Sequence, residues 1–316
     1  MKIKCYVLTL VLGLASLMGN SASAQAPVMP VSIPAKSEHQ IKSNTVVIDG
    51  IKIFYREAGD KSKPTILLLH GFPSSSLMFR ELIPLLANDF HLIAPDYPGA
   101  GFSDYPSAVK FNPTFANLAD LMAQFVQTIG LSSFTIYMQD FGGPVGFRIA
   151  AKHPEWVSGL VIQNANAYME GIAPEQAKGI LEPKRSETEK LVSRDFTLFM
   201  YQTGTRDFGA VDPVGWNVDL WILENKEAKR IQTELLLDYH TNLAEYPNWQ
   251  AYLRTKKPKT LIAWGKNDKT FLPAGAEAYL RDLPQANLKF YNTGHFALEE
   301  DALAISDEII KNFGRK

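Results

Sequence analysis

The chain has 316 residues, 46% hydrophobic and 21% charged, with 32 Lys+Arg against 33 Asp+Glu and a single cysteine. Apolar content of this order excludes global disorder, the near-neutral charge removes the electrostatic case for nucleic acid or an anionic membrane surface, and one cysteine forms no internal disulfide. The length fits two domains, or one large α/β domain carrying an insertion.

Lys2 and Lys4 precede an apolar run over residues 5–18 and small residues ending Ala22-Ser23-Ala24. A basic start, an apolar stretch short for a bilayer and an A-x-A site predict a signal peptide over 1–24. An uncleaved anchor is the alternative. We therefore expect an exported protein, periplasmic or secreted after cleavage near Ala24, with no stable membrane insertion afterwards. Pro27, Pro30 and Pro34 make 25–40 a flexible linker. Cleavage would also remove Cys5, leaving a thiol-free chain suited to an oxidising compartment.

From residue 41 strands and helices alternate. Residues 45–48 and 51–57 flank Asp49-Gly50, a hairpin dipeptide between β-prone runs. Residues 65–69, 91–94, 134–138, 159–163, 260–264 and 288–291 are continuous apolar runs, as strands buried on both faces require. Between them lie amphipathic stretches, such as 115–129 with apolar residues at 115, 118, 121, 122, 125 and 129. The pattern predicts a mostly parallel sheet flanked by helices, its first part over 41–165 and its second over 255–316. Residues 166–254 break the rhythm with helical patterns, many aromatics and no convincing strand. They are read as an inserted helical cap over the strand ends.

Chemistry gathers in the turns that follow strands, where open α/β sheets bind ligands. Tyr137-Met138-Gln139-Asp140-Phe141-Gly142-Gly143-Pro144 runs from a strand through a tight turn into a helix expected near Pro144. This is the setting of a nucleophile elbow, with Asp140 where serine is common; an ordinary N-cap is the plainer reading of that Asp. His70-Gly71-Phe72-Pro73 follows the 65–69 strand, so the backbone N–H groups of Phe72 and Phe141 would form an oxyanion hole. Gly265-Lys266-Asn267-Asp268 and Asn292-Thr293-Gly294-His295 follow two later strands. The order Asp140, Asp268, His295 then supplies nucleophile, acid and base, with Asp268 orienting the imidazole.

These ordered motifs, with Asp96-Tyr97-Pro98-Gly99-Ala100-Gly101-Phe102-Ser103 as a further landmark, make the chain resemble an α/β-hydrolase over essentially everything after residue 40. An Asp nucleophile narrows the reaction. It is ionised at neutral pH, with a reference pKa of about 3.9, and would displace a leaving group at an sp³ carbon to form an alkyl ester. Water activated by His295 would then hydrolyse that ester. The resemblance is thus to the epoxide hydrolase and haloalkane dehalogenase branch. It implies a cofactor-independent enzyme without a metal, acting on a small, neutral, apolar substrate. For epoxide opening, similarity to the cap segments of epoxide hydrolases nominates Tyr239 in Asp238-Tyr239-His240-Thr241-Asn242, and Tyr201 in Phe199-Met200-Tyr201-Gln202, as proton donors. Dehalogenases usually hold the halide with a Trp after the nucleophile and an Asn in the oxyanion turn; here Phe141 and Phe72 stand there. Epoxide hydrolysis to a vicinal diol leads, a dehalogenase is the alternative, and a non-catalytic binding homologue would have no need of all three triad residues. Phe196, Phe199, Trp216, Trp221 and Trp249 are candidate apolar lining.

Overall fold

The computed structural model describes residues 40–314. The expected signal peptide (1–24) and, apart from Gln40, the expected linker (25–40) lie outside the described residues. Strands β1 (Lys42–Ile48) and β2 (Ile51–Ala58) pair antiparallel about Asp49 and Gly50, both at positive φ (48° and 73°), as a two-residue hairpin demands. β1 begins three residues before the apolar run, because polar Lys42 and Ser43 still pair with Glu57 and Arg56 at the sheet edge. The chain continues through β3 (Thr65–Leu69), β4 (His91–Pro95), β5 (Phe134–Gln139), β6 (Val157–Gln163), β7 (Thr260–Gly265) and β8 (Asn287–Tyr291). These form an 8-stranded sheet in the order β1-β2-β4-β3-β5-β6-β7-β8, antiparallel as far as the β2–β4 pair and parallel from β4 onward.

Alternation along each strand divides the core into two layers. Leu67, Leu69, Ile136, Met138 and Ile162 face α2 (Phe115–Thr128) and α3 (Gly142–Lys152). Ile66, Leu68, Tyr137 and Val161 share the other face with residues of α1 (Leu82–Leu86) and α11 (Leu298–Phe313). With both faces covered, every β5 residue is buried, which is why its sequence is mostly apolar and does not alternate with exposed polar residues.

Between β6 and β7 lie six α-helices: α4 (Pro174–Leu181), α5 (Arg185–Leu191), α6 (Arg194–Gln202), α7 (Pro213–Leu223), α8 (Lys226–Asp238) and α9 (His240–Lys256). A short α10 (Pro273–Ala278) follows β7. The turn after β4 carries the helical segment. Buried Asp96 accepts N–H bonds from Ser76 (2.7 Å) and Phe102 (2.8 Å), while Ser103 Oγ donates to the Asp96 carbonyl at 2.7 Å. Gly101 is needed there: its φ is +51°, and a Cβ would fall 1.9 Å from Asp96 Oδ2. On this turn rests α8, whose Gln232 Nε2 donates to the Gly99 carbonyl at 3.2 Å.

Candidate active site

β3 and β5 are neighbours in register Leu69↔Met138, so the residues that leave them, His70-Gly71-Phe72 and Gln139-Asp140-Phe141, lie side by side at the carboxyl edge. The chain order switches direction between these strands, which opens the edge there. Asp140 takes φ +49°, a left-handed conformation costly for a non-glycine residue and typical of side chains held for use. The elbow is tight: a Cβ on Gly142 would sit 2.2 Å from the Leu69 carbonyl oxygen. Helix α3 therefore begins at Gly142 with Phe141 as its cap, two residues earlier than the proline suggests. Pro144 sits inside the first turn, where its missing N–H costs nothing.

Asp140 is 3% exposed, and its Oδ1 accepts the Phe72 N–H at 2.6 Å, with the Phe141 N–H also bonded to the carboxylate. Burial raises the Asp140 carboxyl above its ordinary value, although His295 and the two N–H groups oppose this. Its Oδ2, the oxygen that Phe72 does not hold, lies 3.7 Å from His295 Nε2. His295 Nδ1 is 2.8 Å from Asp268 Oδ2. A carboxylate only accepts, so Nδ1 carries the proton and Nε2 of the neutral ring is a bare lone pair. Burial disfavours the charged imidazole, yet Asp268 and then Asp140 outweigh it and raise His295 above its ordinary value.

Two partners were not singled out from sequence. Asn164, directly after β6 and at φ +44°, donates to Asp268 Oδ2 at 2.7 Å and accepts the Gly265 N–H at 3.1 Å. Thr270 N–H holds Asp268 Oδ1 at 2.7 Å, so the acid is fixed from three sides. Gln139, before the elbow, places its Nε2 3.0 Å from His295 Nε2. A signal for both existed: each is a polar residue at the carboxyl end of a buried parallel strand.

A cavity of about 630 Å³ opens over Asp140, lined by Phe72, Phe141, Phe196, Met200, Tyr239 and Phe271 among others. Tyr239 joins α8 to α9. It is positioned by its chain neighbours: Asp238 Oδ2 accepts the Phe115 N–H at 2.8 Å, and Asn242 Oδ1 accepts from Arg148 at 2.6 Å. Its ring packs on Phe115, Phe141 and Phe271. The hydroxyl neighbours that of Tyr246, and neither meets any other partner. Burial, then Tyr246 and Asp140, push this phenol well above its ordinary value, which keeps it a proton carrier.

The expectation for Tyr201 is corrected. Its hydroxyl donates to Asp219 Oδ2 at 2.7 Å and its ring stacks on Phe296, outside the cavity lining. Phe196 and Met200, four apart on α6, turn toward the cavity; Tyr201, about 100° further round the helix, turns toward α7. Of the aromatic lining candidates only Phe196 reaches the cavity. Trp249 packs on Phe147, Trp216 on Tyr201 and Phe208, while Phe199 and Trp221 are exposed. Among the described residues no group of three or more His, Cys, Asp or Glu is arranged to hold a metal ion.

A family model described as the alpha/beta hydrolase fold matches residues 64–302. The chain belongs to the α/β-hydrolase family. This α/β-hydrolase is 42% identical over 278 residues to an uncharacterized hydrolase of Saccharomyces cerevisiae, a match covering 84% of this chain and 95% of the relative. It is 27% identical over 285 residues to haloalkane dehalogenase 2 of Mycobacterium bovis, covering 83% and 92%. Among solved structures, haloalkane dehalogenase DbeA from Bradyrhizobium elkani gives a TM-score of 0.72 at 22% identity, with 86% of this α/β-hydrolase and 97% of that chain covered. Epoxide hydrolase CorEH gives 0.69 at 21% identity, covering 87% and 99%. At these identities the two structures bear on the fold alone.

Proposed function

We propose that the protein hydrolyses a small, neutral, apolar epoxide to a vicinal diol through a covalent ester of Asp140. Oδ2 attacks an oxirane carbon, the C–O bond breaks, and the released oxygen takes the Tyr239 proton. His295 Nε2 then removes a proton from water, whose oxygen adds to the ester carbonyl carbon. The oxyanion forms on Oδ1, where the Phe72 N–H already donates, with the Phe141 N–H also against the carboxylate. Collapse breaks the bond from the carboxyl carbon to Oδ2. The departing alkoxide takes the proton left on the added oxygen and leaves as the diol, and the proton held on His295 restores the tyrosine through solvent. Asp140 is left carrying one oxygen from water.

The observation that carries the reading is Tyr239, a buried phenol on the wall of the cavity that holds Asp140, whose hydroxyl has only that of Tyr246 beside it. A departing halide asks for N–H donors instead, and none of the 5 tryptophans lines this cavity. Incubation with styrene oxide and with 1-bromobutane tests the choice. Diol without bromide supports the epoxide reading; bromide release alone makes the enzyme a dehalogenase; turnover of neither returns it to a binding role. In a single turnover in isotopically labelled water the label should appear on Asp140, and label found only in the diol would remove Asp140 as nucleophile. A His295→Gln variant should accumulate the ester.

A further inference from the structure

We propose that Gln139 is a positioning residue for the base: its amide N–H caps the Nε2 lone pair of His295 and holds the imidazole neutral until ester hydrolysis begins. The proposal rests on the reading of His295 as general base. The Gln139 and His295 side chains are both buried, and the amide nitrogen lies 3.0 Å from Nε2. With the ring proton committed to Asp268, that nitrogen faces a lone pair, the one arrangement in which an N–H is welcome.

The other end of the amide identifies what this arrangement gives up. Gln139 Oε1 is buried and has no partner, lying where a Cβ on Gly71 would come within 2.3 Å of it. Turning the amide over would bring the oxygen to Nε2, which suits only the protonated ring. An orphaned carbonyl is costly, so this orientation sacrifices one hydrogen bond to aim a donor at the base.

The need for such a donor follows from the surroundings. The titratable groups facing the imidazole are Asp268, after β7, and Asp140, after β5. Both favour the charged ring, whereas its other ring neighbours, Phe271 and Phe296, are apolar. A hydrogen bond to the bare lone pair exists only in the neutral form and therefore works against both carboxylates. The neutral ring is needed only for ester hydrolysis, so the cap bears on the second half-reaction and not on the first.

The test replaces Gln139 with its near-isostere methionine and follows the His295 ring nitrogens by NMR across pH in substrate-free enzyme. Loss of one hydrogen bond worth about tenfold in equilibrium should move the His295 midpoint upward by about one pH unit. An unmoved midpoint overturns the proposal. So does a downward move, which would mean the amide oxygen accepts from the protonated ring. If the variant does not fold, the wild-type spectrum decides: Nδ1 protonated with a hydrogen-bonded bare Nε2 is expected, and a proton on Nε2 at neutral pH refutes it. Neither readout uses substrate, so a failure of the epoxide reading leaves this result interpretable. With turnover in hand, Gln139→Met should leave the alkylation rate within about threefold while shifting the acid limb of ester hydrolysis upward.

Discussion

Oδ2 of Asp140 and Nε2 of His295 stand 3.7 Å apart, too far for a hydrogen bond and near enough for their charges to interact strongly in a buried site. The pair is therefore electrostatically coupled in the resting protein, and the ester proposed on Asp140 would uncouple it. Asp268 and Asp140 together raise His295 above its ordinary value against the effect of burial. The proposed esterification would cancel the Asp140 contribution and leave only that of Asp268.

Ester hydrolysis needs the neutral ring, so its rate falls as pH drops through the His295 value of the intermediate. That acid limb should lie below the His295 midpoint of the free enzyme. Single-turnover hydrolysis rates against pH, set beside an NMR titration of the free enzyme, provide the comparison. Coincident values would show that the Asp140 charge does not reach the base.

Tyr239→Phe removes the proposed proton donor and nothing from the hydrolytic turn. The alkylation step should slow by about 10²-fold or more, while hydrolysis of preformed ester stays within a few-fold. Rapid-quench mass spectrometry of the ester separates the two steps. Equal slowing of both would assign Tyr239 to packing.

Tyr201→Phe should behave differently, because its hydroxyl serves Asp219 at 2.7 Å and not the cavity. Both chemical steps should survive, and stability should fall by about 1–2 kcal/mol as Asp219 loses a donor. A large selective loss of alkylation would return Tyr201 to the site.

Asp219 itself is fully buried, and burial pushes it to about 7 from an ordinary value of 3.8. The folded state thus holds this proton more tightly than the unfolded chain does. The resulting stabilisation is complete below about pH 4 and is lost as pH rises to about 7. Asp219→Asn should flatten that decline in melting temperature between these values. An unchanged slope would show that another group governs it.

Gly101→Ala sets a Cβ 1.9 Å from Asp96 Oδ2 at a φ of +51°. We expect a loss of about 2 kcal/mol or more by urea denaturation. A loss below about 0.5 kcal/mol would mean that the turn after β4 yields easily.

The sheet and the edge that brings Asp140, Asp268 and His295 together were legible because parallel strands announce themselves as apolar runs, and each is followed at once by its polar turn. The phase of α6 was not. Phe196, Phe199, Met200 and Tyr201 place apolar surface on several sides of one helix, so composition does not say which side meets the cavity. Only packing against α7 and the core turns Tyr201 away. The position of Gln139 and Asn164 at strand ends was a signal, but their partners were not legible, because they lie 156 and 104 residues further along the chain. A hydrogen bond across such a span leaves no local periodicity to read.

The six helices between β6 and β7 separate the labour of the proposed reaction by chain segment. Nucleophile, base, acid and oxyanion donors all issue from strand ends, whereas the group that meets the departing oxygen comes from the inserted stretch. Descent can therefore alter the two halves at different speeds. An exchanged insertion would change which bond is cleaved first and from what molecule, and the strand-end apparatus beneath would release the product in the same way each time.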